Sequence, residues 1–133
     1  MAKIQVKIVM PQKCKFEAMT DNVILPGIEG DFEVLAGHTP FITKLRTGSL
    51  YINNDTENHV FAIHDGFVSV EGDKVNILCE ACEGKDEIDV PRAEEAKSRA
   101  EKRMTHSNEE GVDYRRAEAS LRRALTRIQT VSL

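Results

Sequence analysis

The sequence predicts a β + α fold: an N-terminal all-β part over residues 1–86, then a C-terminal antiparallel two-helix hairpin over residues 87–133. Three observations carry this. Six of the seven aromatic residues, seven of the eight glycines and three of the four prolines lie before residue 86. Up to that point apolar and polar residues alternate in short runs, the period of a half-buried strand. Beyond it, apolar residues recur at three- and four-residue spacing, the period of a helix face. A chain of 133 residues can bury one sizeable core and carry an appendage, but not two large independent domains.

Strands are expected at residues 4–9, 15–19, 23–25, 32–35, 41–45, 49–52, 59–64, 67–71 and 75–78, with Asn53-Asn54-Asp55 and Glu71-Gly72-Asp73 as turns. Such short, regularly spaced strands fit a two-sheet sandwich or a flattened barrel. Gly27 and Gly30 allow a tight reversal between residues 23–25 and 32–35, because they reach positive φ where bulkier residues resist it. Pro26 and Pro40 mark strand ends, since proline cannot donate to a ladder. The product is a hairpin with an acidic tip, Glu29-Gly30-Asp31, which taken alone reads as a solubilising turn.

Several function classes are disfavoured by composition. A formal charge of −4 argues against a dedicated nucleic-acid binder. No run approaches the roughly 18 apolar residues of a membrane span. The opening run Met-Ala-Lys-Ile-Gln-Val-Lys-Ile-Val alternates like a strand, without a signal peptide's apolar region or a transit peptide's Arg- and Ser-rich helix. Membrane association is therefore expected only through partners. Three cysteines, Cys14, Cys79 and Cys82, fit a reducing compartment better than a disulfide scaffold. Cys79-Glu-Ala-Cys82 has CxxC spacing, but it continues a strand pattern in which positions i and i+3 point to opposite faces. With no second Cys or His pair nearby, two small residues at a strand end is the favoured reading, and no metal site is expected.

In the C-terminal part, Asp89 is placed to cap a helix whose first turn holds Pro91, where a missing N–H costs little. Ala93, Ala96, Ala100 and Met104 then form its seam. Residues 107–111 read as a loop. Asp113 caps a second helix carrying Tyr114, Ala117, Leu121, Ala124, Leu125, Ile128 and Val131 on one face. An alanine seam brings helices close but holds them weakly, since each alanine contributes far less than the roughly 1.5–3 kcal/mol of a buried large apolar side chain. Such a hairpin suits an exchangeable arm, and it also fits a stably packed appendage. At about 100° per residue, Arg92, Arg99 and Arg103 share one stripe and Arg116, Arg123 and Arg127 another. In an antiparallel pair the two converge, Arg92 near Arg127, Arg99 near Arg123 and Arg103 toward Arg116. Arginine's planar fork suits phosphate, whereas a solvated charged face, partly neutralised by Glu94, Glu95 and Glu101, is the usual origin of such runs.

The run Leu25-Pro-Gly-Ile-Glu-Gly-Asp-Phe-Glu-Val-Leu-Ala-Gly-His-Thr-Pro-Phe41, followed by Leu45-Arg-Thr-Gly-Ser-Leu50, resembles the epsilon subunit of F-type ATP synthases in its Gly-x-x-Gly turn, Val-Leu strand, His-x-Pro corner and Gly-x-Leu restart. It departs at Phe32-Glu33, where small residues are common, and at Ala36, where proline is. Phe61-Ala-Ile-His-Asp-Gly-Phe-Val-Ser-Val70 is similar to the family's strand–Gly–Phe/Ile–strand element, with His64-Asp65 in place of small residues. Ile88-Asp89-Val90-Pro91-Arg92-Ala93 matches the Ile/Leu-Asp-x-x-Arg-Ala motif with which several bacterial epsilon subunits bind ATP.

The resemblance spans essentially the whole chain; of the two β architectures it implies the two-sheet β-sandwich over residues 1–86, and with it a non-catalytic central-stalk subunit of the rotor. Its sandwich would bind the gamma subunit, with His38 at or near that contact, although a corner histidine bonded to backbone is the more economical reading of His38. The turn Glu29, Gly30 and Asp31 would meet the ring of c subunits. The mobile hairpin would be regulatory, with ATP held by Glu83, Ile88, Asp89, Arg92, Ala93, Arg99, Arg123 and Arg127. When extended toward the catalytic alpha and beta subunits, it would inhibit ATP hydrolysis through Arg115, Arg122 and Arg123. No cofactor is required, and ATP would be a regulatory ligand. No Walker-type loop, positioned base or nucleophile suggests hydrolysis by the chain itself. A stand-alone nucleotide-binding sensor without a rotor role is the alternative. The location implied is the cytoplasmic face of a bacterial cell membrane, peripheral and through the complex, with a plastid thylakoid less favoured.

Overall fold

In the computed structural model, which describes residues 2–106 and 113–133, strands β1 (Ile4–Met10), β2 (Lys13–Thr20), β3 (Asn22–Gly27), β4 (Gly30–Leu35), β5 (Phe41–Leu45), β6 (Gly48–Asn53), β7 (Asn58–Glu71) and β8 (Lys74–Gly84) precede two helices. A single 3₁₀ turn, Lys85–Glu87, leads into α1 (Val90–Thr105), and α2 (Tyr114–Val131) ends the chain. The loop expected at 107–111 lies outside the described residues. Hydrogen bonding orders the strands β2-β1-β8-β7-β5-β3-β4, with β6 joined to β3 and β7. Folded over, this makes two layers. One holds β2, β1, the first half of β8, the second half of β7 and β5. The other holds β4, β3, β6 and the remaining halves of β7 and β8.

Alternation fills the space between the layers. Ile4, Val6 and Ile8 of β1, Val23 and Leu25 of β3, Leu50 and Ile52 of β6 and Val75 and Ile77 of β8 are all buried in one cluster. A large apolar side chain buried in this way contributes roughly 1.5–3 kcal/mol. The layers therefore cohere through the hydrophobic effect acting on period-two sequences.

Three expectations fail, at one place and for one reason. Residues 59–64 and 67–71 are not separate strands but parts of the 14-residue β7. Asp65-Gly66 resembles a turn, yet Asp65 takes a φ of 50° and Gly66 returns the chain to the ladder opposite Cys79. A Cβ on Gly66 would stand 2.2 Å from the carbonyl oxygen of Leu78. The strand therefore continues with its faces inverted: Phe61 and Ile63 face the core before the bend, Val68 and Val70 after it. β8 inverts alongside and runs on to Gly84, past the expected end at residue 78. Consequently Cys79 and Cys82 do not point to opposite faces; both are buried in the core cluster.

The acidic hairpin tip forms at Gly30, whose φ of 134° only glycine adopts readily. Gly27 serves differently from expectation. Its φ is not in the positive range, and what it supplies is space, because a Cβ there would lie 2.6 Å from the Gly30 carbonyl oxygen.

The bend yields a direct test. Gly66→Ala should lower the free energy of unfolding by about 1–3 kcal/mol, the cost of forcing atoms into a filled space. Urea denaturation measures it, and an unchanged midpoint would show that β7 and β8 can part at the bend without cost.

Candidate functional site

The start of α1 sets up a cleft between sandwich and hairpin. Asp89 is extended, and its Oδ1 accepts from the Arg92 backbone N–H at 3.1 Å, the N-cap that the sequence implies. Asp113 caps α2 in the same way, accepting from the Arg116 N–H at 3.2 Å. Ala93 and Ala100 of α1 and Ala117 and Ala124 of α2 are buried, so small side chains do form the seam. The face expected on α2 is corrected in part. Tyr114 and Leu125 are exposed, while Thr126 and Thr130 are buried. The reason is that α2 has two neighbours, α1 on one side and β6 and β7 on another. Thr130 Oγ1 bonds to Ser49 Oγ of β6 at 2.8 Å and donates to the Thr126 carbonyl at 2.7 Å.

A cleft of about 370 Å³ lies here, lined by Glu83, Glu87, Asp89, Arg92, Ala93, Ala96, Arg99 and Arg127. Six of the eight residues expected at a nucleotide site thus come together. Ile88 is half-buried at the junction and does not line the cleft, nor does Arg123, whose Nη2 donates to Ser120 Oγ at 3.2 Å. Arg103 and Arg116, expected to converge, are exposed and also outside it. Glu87 and Ala96 were not anticipated as lining residues. Ala96 was legible as a seam alanine, whereas Glu87 depends on a tertiary contact with Lys15.

The three acids of the cleft are already engaged. Glu83 Oε1 accepts from Arg127 Nε at 2.6 Å and faces His64 Nε2 at 2.9 Å. Glu87 takes the Lys15 ammonium at 2.6 Å and the Gly84 N–H at 2.9 Å, and both hold its carboxyl below the ordinary range. Asp89 is spent on the cap. Among the described residues, Arg92 and Arg99 have no salt-bridge partner, so the cleft presents two uncompensated guanidinium groups beside a third that is paired. Such an arrangement can bind a polyanion. Among the described residues no cluster of His, Cys, Asp and Glu could hold a metal ion.

The other expected sites lie apart. Glu29, Gly30 and Asp31 are exposed, with Arg46 bridging the turn: its Nη2 donates to Asp31 Oδ1 and its Nη1 to the Gly27 carbonyl, each at 2.5 Å. His38 is half-buried at a corner, its Nδ1 2.8 Å from the Thr39 carbonyl and its ring 5.0 Å from that of Phe41. Arg115 is exposed and Arg122 pairs with Glu118 at 2.5 Å on the outer side of α2. A shallow apolar groove of about 470 Å³ on the outer face of β1, β7 and β8 contains Val9, Phe67 and Leu78. On neighbouring β5, Ile42 is 75% exposed. No described helix is long and apolar enough to cross a membrane.

Burial alone would raise the Glu83 carboxyl, but the hydrogen bonds from Arg127 and His64 outweigh it and hold it below its ordinary value of about 4.5. A carboxyl depressed in this way favours the packed hairpin above pH about 4.5 and loses that contribution as pH falls through its folded value. Arg127→Ala removes the stronger partner and leaves burial to dominate. The Glu83 titration, followed by carboxyl carbon resonance, should then move upward; a midpoint that stays depressed would mean that His64 alone holds the carboxylate.

The family model for the ATP synthase delta/epsilon chain β-sandwich domain matches residues 3–85, and that for the long α-helix domain matches residues 86–132. The ATP synthase epsilon chain of Clostridium novyi is 44% identical over 133 residues, covering 98% of this chain and 100% of that one. The ATP synthase epsilon chain of Nitratidesulfovibrio vulgaris is 40% identical over 126 residues, covering 95% and 93%. A chain in the structure of the Euglena gracilis mitochondrial ATP synthase, described as OSCP/F1/c-ring, superposes with a TM-score of 0.87 at 21% identity, covering 99% of this chain and 82% of that one. Both family domains in order, and relatives alike over nearly their full length, lead to one assignment: the chain belongs to the ATP synthase delta/epsilon chain family.

Proposed function

We propose that this chain is a central-stalk subunit of an F-type ATP synthase, non-catalytic itself, whose C-terminal hairpin regulates ATP hydrolysis and carries a regulatory ATP site. The observation that carries the ATP site is the cleft in which Arg92, Arg99 and Arg127 meet while every acid beside them is engaged. Its volume of about 370 Å³ lies within the roughly 300–1,000 Å³ of small-molecule sites. Arg92 and Arg99 are free to take phosphate oxygens, and Arg127 would close from α2. The Asp89 cap fixes the turn that aims Arg92. Arg123, bonded to Ser120, would have to swing to contribute.

ATP neutralises the converging guanidinium groups and so favours the compact hairpin; without it, the population shifts toward an extended form. In that form Arg115, Arg122 and Arg123 would meet acidic surface on the alpha and beta subunits. The exposed apolar face with Ile42, Phe67 and Leu78 supports binding of the sandwich to the gamma subunit, because solvent contact with so much apolar surface is otherwise costly. The rigidly braced turn at Glu29-Gly30-Asp31 suits a contact with the c ring, and the c-ring assembly named for the Euglena neighbour supports that reading. The subunit would then reach the membrane only through the complex.

Calorimetry tests the site. ATP should bind the isolated chain, and Arg92→Ala should cost about 1.5–3 kcal/mol of binding free energy, as loss of a charge-assisted hydrogen bond does. No binding at millimolar ATP, or equal binding by the variant, would return the arginines to a solvated face. Regulation is tested separately. Removing the chain after Glu87 should raise ATP hydrolysis by the soluble catalytic complex, as should replacing Arg115, Arg122 and Arg123 by alanine. Unchanged rates in both would remove the inhibitory role.

A further inference from the structure

We propose that His64, Glu83 and Arg127 form an acid-released latch that holds the hairpin on the sandwich near neutral pH and frees it when His64 takes a proton. The proposal rests on the reading that the hairpin has a docked and an undocked state, and it adds a signal that chooses between them.

The geometry begins at the bend in β7. Phe61 and Ile63 face the core, so Ala62 and His64 face outward, where a sandwich residue would ordinarily meet water. Instead His64 is only 4% exposed, because α2 packs over this half of β7 with Thr126 and Thr130 buried beside it. Glu83 of β8 and Arg127 and Arg123 of α2 bring charge to the imidazole; β6 contributes the uncharged Ser49, and Asp65, next along β7, is exposed. His64 Nε2 donates to Glu83, which suits a neutral ring. Among the described residues Nδ1 is buried with no hydrogen-bond partner. Protonating it would create a buried N–H with no acceptor, next to two arginines, and an unsatisfied buried donor is costly. A proton on His64 would also compete with Arg127 for the Glu83 carboxylate.

The sign follows from what each state does to the ring. Docked, burial lowers the His64 pKa below 6.5; the Glu83 hydrogen bond opposes this, and the charges of Arg127 and Arg123 lower it further. Undocked, burial and both arginines depart while Glu83 remains on the adjacent strand, so the pKa returns to its ordinary value or above. The undocked state therefore binds more protons. Docking is undiminished above the undocked pKa and weakens as pH falls through it, by up to about tenfold in the docking constant per pH unit, until the docked ring itself titrates. Glu83, depressed below about 4.5, keeps its charge through most of this range.

Energy transfer in the full-length chain tests the latch, with one dye on the exposed native Cys14 and one on Gln129→Cys, since Cys79 and Cys82 are buried. Between pH 7.5 and 5.5 the docked fraction should fall, and His64→Gln, which keeps a donor for Glu83 but cannot take the proton, should flatten the response. An unchanged docked fraction in the wild type, or the same response in the variant, would overturn the proposal. His64→Ser serves equally if the glutamine variant does not fold. Thr130→Arg, which places a charge in the buried contact with Ser49, opens the hairpin at any pH if it opens at all. Opening there without opening on acidification overturns the latch alone; no opening in either overturns the two-state reading with it.

Discussion

The close approach of β7 and β8 at Gly66 is the constraint on which the remainder of the molecule depends. With the Leu78 carbonyl filling the space that a side chain would need, both strands turn over together and each serves two layers. The inversion keeps apolar residues in the core on both sides of the bend. It also puts Ala62, His64 and Glu83 on the outside of one layer, where they can be covered only by something added afterward. That addition is α2. The site between sandwich and hairpin is therefore a consequence of how the sandwich closes, and not a separate invention of the helices.

The helical part holds on by modest means. Alanines pack α1 on α2, and hydroxyl contacts at Thr130 and a shared carboxylate at Glu83 pack α2 on the strands. Each is weak compared with a buried leucine or isoleucine, and the polar ones depend on charge state. An interface composed in this way depends on charge state in a way that the sandwich core does not. The acids lining the cleft reinforce this, because their existing partners leave Arg92 and Arg99 to whatever anion arrives.

Much of this was legible in the sequence, and the exceptions have physical causes. Alternation located the strands because one face of each is buried, and Asp89 and Asp113 announced the helices because a carboxylate at that point satisfies an orphan N–H. Helical spacing brought Arg92, Arg99 and Arg127 toward one another without any tertiary knowledge. The bend escaped because Asp65-Gly66 carries the composition of a turn, and only the opposing strand decides that the chain continues. The facing of Cys79 and Cys82 was misjudged for the same reason, since period two holds only while a strand keeps its twist regular. Thr126 and Thr130 lie off the apolar face that helical spacing picks out, and they are buried by a second neighbour that such spacing cannot show. His64 was visible as a departure from the family pattern, but its burial is created by α2, more than sixty positions from it at Arg127 on the order of a long-range contact.

The parallel pairing of β1 with β8 has a consequence for the order in which the molecule forms. Every other neighbouring pair of long strands is antiparallel, but β1 aligns with a partner about seventy residues later in the chain. β1 has its antiparallel partner β2 next to it in the chain, yet its other edge stays open until β8 is made. Its apolar face, Ile4, Val6 and Ile8, waits as long. The layer that holds β1 therefore cannot close without β8, whose far half also pairs with the part of β7 that α2 covers. The two helices follow β8 directly in the chain, so they are made only after every strand that α2 packs against.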